Sequence, residues 1–221
     1  MIPESVSSLI GQPTSNLVNA VIVTILQILT AASKQIIEQG LVKANWHENR
    51  MTNQLREKMV EAKVEKEKQL GAELMLRILP TQFGVFHTDA GVIDIAIIYS
   101  YREDEYFAIE CKKLSGKRRG LDKKYVTEGM MRFVTGKYSP NHQWGMMVGY
   151  VIEGHCENAI QFVSEKIDKK HRNSLRIDKE FAKETRFGNY PFLHSTRHRQ
   201  QITSTIITIL HYFFDTLPAS N

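Results

Sequence analysis

The chain has 221 residues, of which 42% are hydrophobic and 24% charged, and its net charge is +5. That length suits one domain, or one domain with an added arm, and the composition is that of an ordinary globular protein. Two cysteines without C-x-x-C spacing provide neither a disulfide framework nor a thiolate metal site, so a reducing, cytoplasmic setting is expected.

No basic residue precedes the first apolar stretch, unlike a secretory signal. From Ser5 to Ser33 no residue is charged, and "LVNAVIVTILQILTAA" (17–32) is strongly apolar. It falls short of the roughly 20 apolar residues of a membrane span, and Asn19, Thr24, Gln27 and Thr30 dilute it. The expectation is a buried helix, or one that docks on a second protomer or a larger complex through residues 14–40, rather than a membrane anchor. "GQPTSN" (11–16) reads as a linker and Gly40 as a helix stop. A second helix is predicted from about Trp46 to Lys68. "GVIDIAIIYS" (91–100) and "YFAIECKKL" (106–114), joined by "YREDE", predict an antiparallel hairpin.

A basic loop, "SGKRRGLDKK", leads into a helix from about Asp122 to Thr135, capped by Asp122 and ended by Gly136. "WGMMVGYVI" (144–152) predicts a buried strand and "ENAIQFVSEKI" (157–167) an amphipathic helix. Weak strand signals near "LRI" and "PFL" precede a final helix, from about Gln201 to Phe214. The expected fold class is α/β, a mixed sheet flanked by helices.

The chemistry concentrates in "FAIECKKL" (107–114), where Glu110 and Lys112 enter an apolar strand. Strand alternation points these two side chains to one face and Cys111 to the other. With the hairpin loop centred near Arg102, Asp94 lies opposite Glu110 and diagonal to Lys112. Facing carboxylates repel unless a cation neutralises them. A hard divalent ion such as Mg²⁺ suits oxygen ligands and keeps positions open for water and a phosphate. A neighbouring lysine can position or deprotonate that water and steady the transition state. A surface ion pair on a solvated strand face is the bland alternative.

Asp94 and, after an interval of fifteen residues, Glu110-Cys111-Lys112 at the end of an apolar strand resemble the PD-(D/E)XK nuclease superfamily. Ile93 stands where proline is common in that motif. The resemblance implies a restriction-endonuclease-like fold, Asp94 and Glu110 as metal ligands with the Cys111 carbonyl completing the set, and Lys112 as the catalytic lysine. It implies Mg²⁺ as cofactor, with Mn²⁺ as a substitute. Such proteins often supply a further acid from a preceding helix. Glu48 is the candidate, on the stripe of Met51, Leu55, Met59 and Ala62. The blocks "YVTEGMMRFVTGKYS", "GMMVGYVIEG" and "FLHSTRHRQQITSTIITILHYFFDT" are similar to small bacterial members of the anti-phage or restriction type, over roughly residues 46–215. The expected organisation is an N-terminal helical arm (1–43) and a nuclease-like domain (44–221).

Lys113, Lys117, Arg118, Arg119, Lys123 and Lys124 follow the motif directly, with Asp122 the only acid among them. Beside a phosphate-cleaving site such a run suits a nucleic-acid backbone, DNA first, with RNA not excluded. Arg132 is expected to line the groove with Tyr125 and Gly129, touching a phosphate or Glu110. His194 and His198 have a spacing that holds zinc on a helix, but no third ligand accompanies them, and Ser195 reads as a helix cap. The expected function is Mg²⁺-dependent phosphodiester hydrolysis, most plausibly endonucleolytic and in DNA. The alternative is a non-catalytic nucleic-acid-binding or assembly subunit that retains the fold.

Overall fold

Helices α1 (Ser15–Glu38) and α2 (Glu48–Leu70) open the computed structural model, which describes residues 15–80, 92–100, 106–138 and 142–217. A short strand β1 (Arg77–Leu79), which the sequence reading did not separate from its surroundings, precedes β2 (Ile95–Ile98) and β3 (Tyr106–Leu114). Then come α3 (Leu121–Lys124), a π-helical segment (Tyr125–Met130) and α4 (Met131–Val134), which follow one another without a break. Strand β4 (Trp144–Val151) and helix α5 (Cys156–Lys166) follow, then β5 (Ile177–Lys183), β6 (Leu193–Arg199) and β7 (Ile206–Asp215).

The seven strands form one mixed sheet in the order β1-β2-β3-β4-β7-β6-β5. β3, β4 and β7 run parallel at its centre, and every other pair is antiparallel. Central strands are covered on both faces, so they read as near-continuous apolar runs. Eight of the nine β3 residues are buried, the exception being Lys113.

One face of the sheet carries α1 and α2. Ile25, Leu29 and Ile36 of α1 and Met51, Leu55 and Met59 of α2 share a buried cluster with Ile109, Cys111, Val148 and Tyr212. The stretch expected as an N-terminal arm packs, from Val18 onward, against the main core. A hydrogen bond between Ser33 Oγ and the Tyr212 hydroxyl (2.9 Å) ties α1 to β7. By length and composition α1 could cross a membrane, yet its apolar stripe lies against the sheet. The other face carries α3, α4 and α5. There Tyr125, Val126, Met130, Phe133 and Val163 pack with Ala108, Met147 and Phe213.

Three expectations are corrected. Residues 201–214 are not a helix: β7 occupies Ile206–Asp215, paired in parallel with β4. "HSTRHR" is strand β6, so Ser195 caps no helix. Asp122 is not the residue that precedes its helix; Gly120 is. Asp122 instead lies in the first turn, where its Oδ1 accepts the Gly120 N–H. Gly136, at φ 75°, does end that helix.

Candidate active site

β2 and β3 pair from Ile98↔Tyr106 to Ile95↔Ile109, and residues 101–105 of the loop between them lie outside the described residues. One further step would set Asp94 opposite Glu110, the register expected from the sequence. At that step β2 ends, while β3 continues to Leu114 bonded only to β4 on its other side. The two strands fork, and main-chain groups of β3 along the abandoned edge need new partners.

Carboxylates supply them. Cys111 N–H donates to Asp94 Oδ2 at 2.7 Å, and Lys113 N–H donates to Glu48 Oε2 at 2.8 Å. Glu48 opens α2, where the helix dipole favours an anion. In this ladder the N–H and C=O of one residue face the same edge. The Cys111 carbonyl thus also faces the fork, and it accepts from Lys112 Nζ at 3.0 Å.

Glu110 and Lys112 project together on the face covered by α3 and α4, at 0% and 7% exposure. Lys112 Nζ stands 2.7 Å from Glu110 Oε1 and 2.8 Å from Glu48 Oε1. It donates to Glu48 Oε1 and to the Cys111 carbonyl, and it forms an ion pair with Glu110 Oε1 at the centre of the site. Burial alone would lower the Lys112 pKa, but Glu110 and Glu48 outweigh it and hold the ammonium protonated. Glu110 is pushed up to about 7, first by burial and then by Asp94, against the pull of Lys112 and Arg132. Burial also raises Asp94, partly offset by the Cys111 N–H bond.

Gly129 lets the π-helical segment come close to this strand. A Cβ there would lie 3.4 Å from Lys112 Cγ and 2.3 Å from Met147 Cε. One turn on, Arg132 Nη1 donates to Glu110 Oε2 at 3.2 Å and also to the Tyr138 hydroxyl. Tyr138 in turn donates to the Val92 carbonyl. Tyr138 was not foreseen; nothing in "RFVTGKYS" marks that tyrosine apart from its neighbours.

Asp94, Glu110, Lys112, Glu48 and Arg132 thus converge, and Cys111 contributes its main chain. Its thiol, buried on the opposite face, is pushed well up by burial and is inert. The basic run divides. Lys113 Nζ is spent on the Ala44 and Trp46 carbonyls, at 2.8 and 2.9 Å. Arg118 pairs with Glu153, and Arg119 pairs with Glu165 and lies over Phe162. Lys117, Lys123 and Lys124 remain exposed. Lys124 precedes Arg132 by eight residues, about 12 Å along a helix.

Family models, curated proteins and solved structures give no match to this chain. The site therefore stands on its own chemistry. Its donors are hard oxygens: two carboxylates and a main-chain carbonyl. Glu110 Oε1 is buried with cationic nitrogens at 2.7 and 3.1 Å, yet no N–H is aimed along a hydrogen-bond direction. Among the described residues no three His, Cys, Asp or Glu side chains form a cage. The set fits a partly hydrated Mg²⁺, not a fully protein-ligated ion. His194 and His198 hold no zinc site: His198 Nδ1 and Nε2 are already engaged by the Leu175 carbonyl and Thr196 Oγ1.

Proposed function

We propose that this chain is a metal-dependent nuclease of the PD-(D/E)XK type, with a restriction-endonuclease-like sheet, acting most plausibly on DNA within a bacterial restriction or anti-phage system. The observation that carries the reading is the fork itself. It ties Asp94 to the Cys111 N–H and sets the Lys112 ammonium against both Glu110 and the Cys111 carbonyl. Asp94, Glu110 and the Cys111 carbonyl would hold Mg²⁺ or Mn²⁺, and Glu48 lies close enough to assist. The bound ion would supply a more acidic water and offset charge on a phosphate oxygen. Lys112, held as an ammonium, suits positioning of that water and stabilisation of phosphoryl charge better than proton abstraction. Arg132 orients Glu110, and Lys117, Lys123 and Lys124 supply exposed charge for the phosphate backbone.

The test is cleavage of single-stranded DNA, double-stranded DNA and RNA with Mg²⁺ or Mn²⁺. Asp94→Asn and Lys112→Ala should each cost about 10²-fold or more in rate, with substrate binding retained in Lys112→Ala. Binding without cleavage on every substrate would support a non-catalytic nucleic-acid-binding or assembly subunit instead.

A further inference from the structure

Glu110 is fixed by its strand, but Asp94 lies past the last paired residue of β2. Its position relative to Glu110 therefore depends on whatever holds the Val92–Asp94 segment. One tether is direct, from the Cys111 N–H to the Asp94 carboxylate. Ile93 anchors the segment in the core, and Tyr138 adds a further tether, reaching over from the turn after α4. A carbonyl can only accept, so the phenol must donate its single proton to Val92 O. Its lone pair is then left to accept from Arg132 Nη1. Arg132 Nη1 in turn reaches Glu110, at 3.1 Å from Oε1 and 3.2 Å from Oε2. The result is a continuous strut, Val92 carbonyl to Tyr138 to Arg132 to Glu110, that crosses the mouth of the fork. Tyr138 is fully buried and stands edge-on to Phe133, so packing locks its ring and the strut has little play.

We infer that Tyr138 is a positioning residue whose strut fixes the span between Asp94 and Glu110, and that this span selects Mg²⁺ over Ca²⁺. The inference rests on the metal-dependent reading of the same site. Mg²⁺ demands near-octahedral oxygens at about 2.0–2.1 Å, whereas Ca²⁺ accepts about 2.3–2.6 Å in irregular geometry. A rigid pair of carboxylates can enforce the shorter span; a loosened pair relaxes towards the longer one.

Calorimetric titration of the full chain with Mg²⁺ and with Ca²⁺, on wild type and Tyr138→Phe, tests this without reference to cleavage. Loss of the hydroxyl is expected to weaken Mg²⁺ about 10-fold or more, the range for supporting residues at metal sites, and Ca²⁺ by less than about 3-fold. Equal losses for both ions, or no loss, overturn the strut. A wild type that binds neither ion overturns the metal-dependent reading and the strut together. Should circular dichroism show that Tyr138→Phe does not fold, Arg132→Lys takes its place. It keeps a positive charge at Glu110 but lacks the fork that joins carboxylate to phenol. The same fall in the Mg²⁺-to-Ca²⁺ preference is expected, and an unchanged preference overturns the inference.

Discussion

Glu110 has Asp94 as a facing anion and no exposure to water, and it is relieved only by Lys112 and Arg132. Its pKa is raised from 4.5 to about 7, so the fold favours its neutral form. In the ion-free protein the resulting stabilisation is complete below about pH 4.5 and is lost as pH rises through about 7. A divalent ion needs the ionised form, so binding must expel this proton. We predict that Mg²⁺ affinity climbs steeply as pH rises towards about 7 and flattens above it. Calorimetry at pH 6 in buffers of different ionisation enthalpy should detect the released proton; buffer-independent heats would contradict the coupling. Lys112 enters the same balance, because its ammonium stands between Glu110 and Glu48 and a metal must share those oxygens with it.

From Tyr125 to Val134 the helix carries its buried residues in pairs, Tyr125 with Val126, Gly129 with Met130 and Phe133 with Val134. That spacing of four exceeds the α-helical turn, and the wider π turn keeps the pairs facing the sheet. At its start Tyr125 is hydrogen-bonded to His211 Nδ1 at 3.0 Å. From there a buried chain runs through His211 Nε2 and Thr196 Oγ1 (2.8 Å) to His198 Nε2 (2.6 Å), and from His198 Nδ1 to the Leu175 carbonyl (2.8 Å). The carbonyl end sets every proton, given that burial lowers His198 to about 4 and keeps it neutral. His198 is protonated on Nδ1, Thr196 donates to its Nε2, His211 is protonated on Nε2, and Tyr125 donates to His211 Nδ1. Nitrogen-15 NMR at neutral pH should find these opposite tautomers in the two histidines; matching tautomers would refute the chain. Tyr125→Phe should cost about 1–3 kcal/mol in a urea melt, by orphaning a buried acceptor. This network explains why β6 was illegible: the face it turns towards Phe213 carries His194, Thr196 and His198, polar where a strand signal needs apolar alternation. β7 failed for the converse reason. Buried on both faces between β4 and β6, "IITILHYFF" is apolar without a period, and its length resembles a helix.

Across the whole molecule the convergence of the candidate residues was more legible than the fold around them. Asp94, Glu110 and Lys112 lie on one hairpin, where loop length and alternation set the register, so spacing alone could bring them together. Tyr138 joins through a turn and Val92, contacts with no periodic signature. The ion pairs that occupy Arg118 and Arg119 come from Glu153 and Glu165, acids far along the chain. For α1 the sequence left burial and docking on a partner as alternatives. An uncharged N-terminal stretch looks alike whether it meets a partner, a membrane or its own sheet, and only the tertiary contacts decide. Here Leu29 is fully buried in the cluster that also contains Val148 of β4 and Tyr212 of β7. If α1 is integral to the core, Leu29→Ala should lower the stability of the entire chain by about 2–5 kcal/mol. Tryptophan fluorescence and far-ultraviolet circular dichroism should then fall in one coincident urea transition, shifted to lower denaturant with an unchanged slope. Trp144 begins β4 and packs edge-on against Phe187, whereas Trp46 lies just before α2. A helix acting as a detachable arm would instead leave the transition at Trp144 in place while helical signal was lost earlier. Removing Trp46 by Trp46→Phe makes the fluorescence report on Trp144 alone, so the two outcomes separate cleanly.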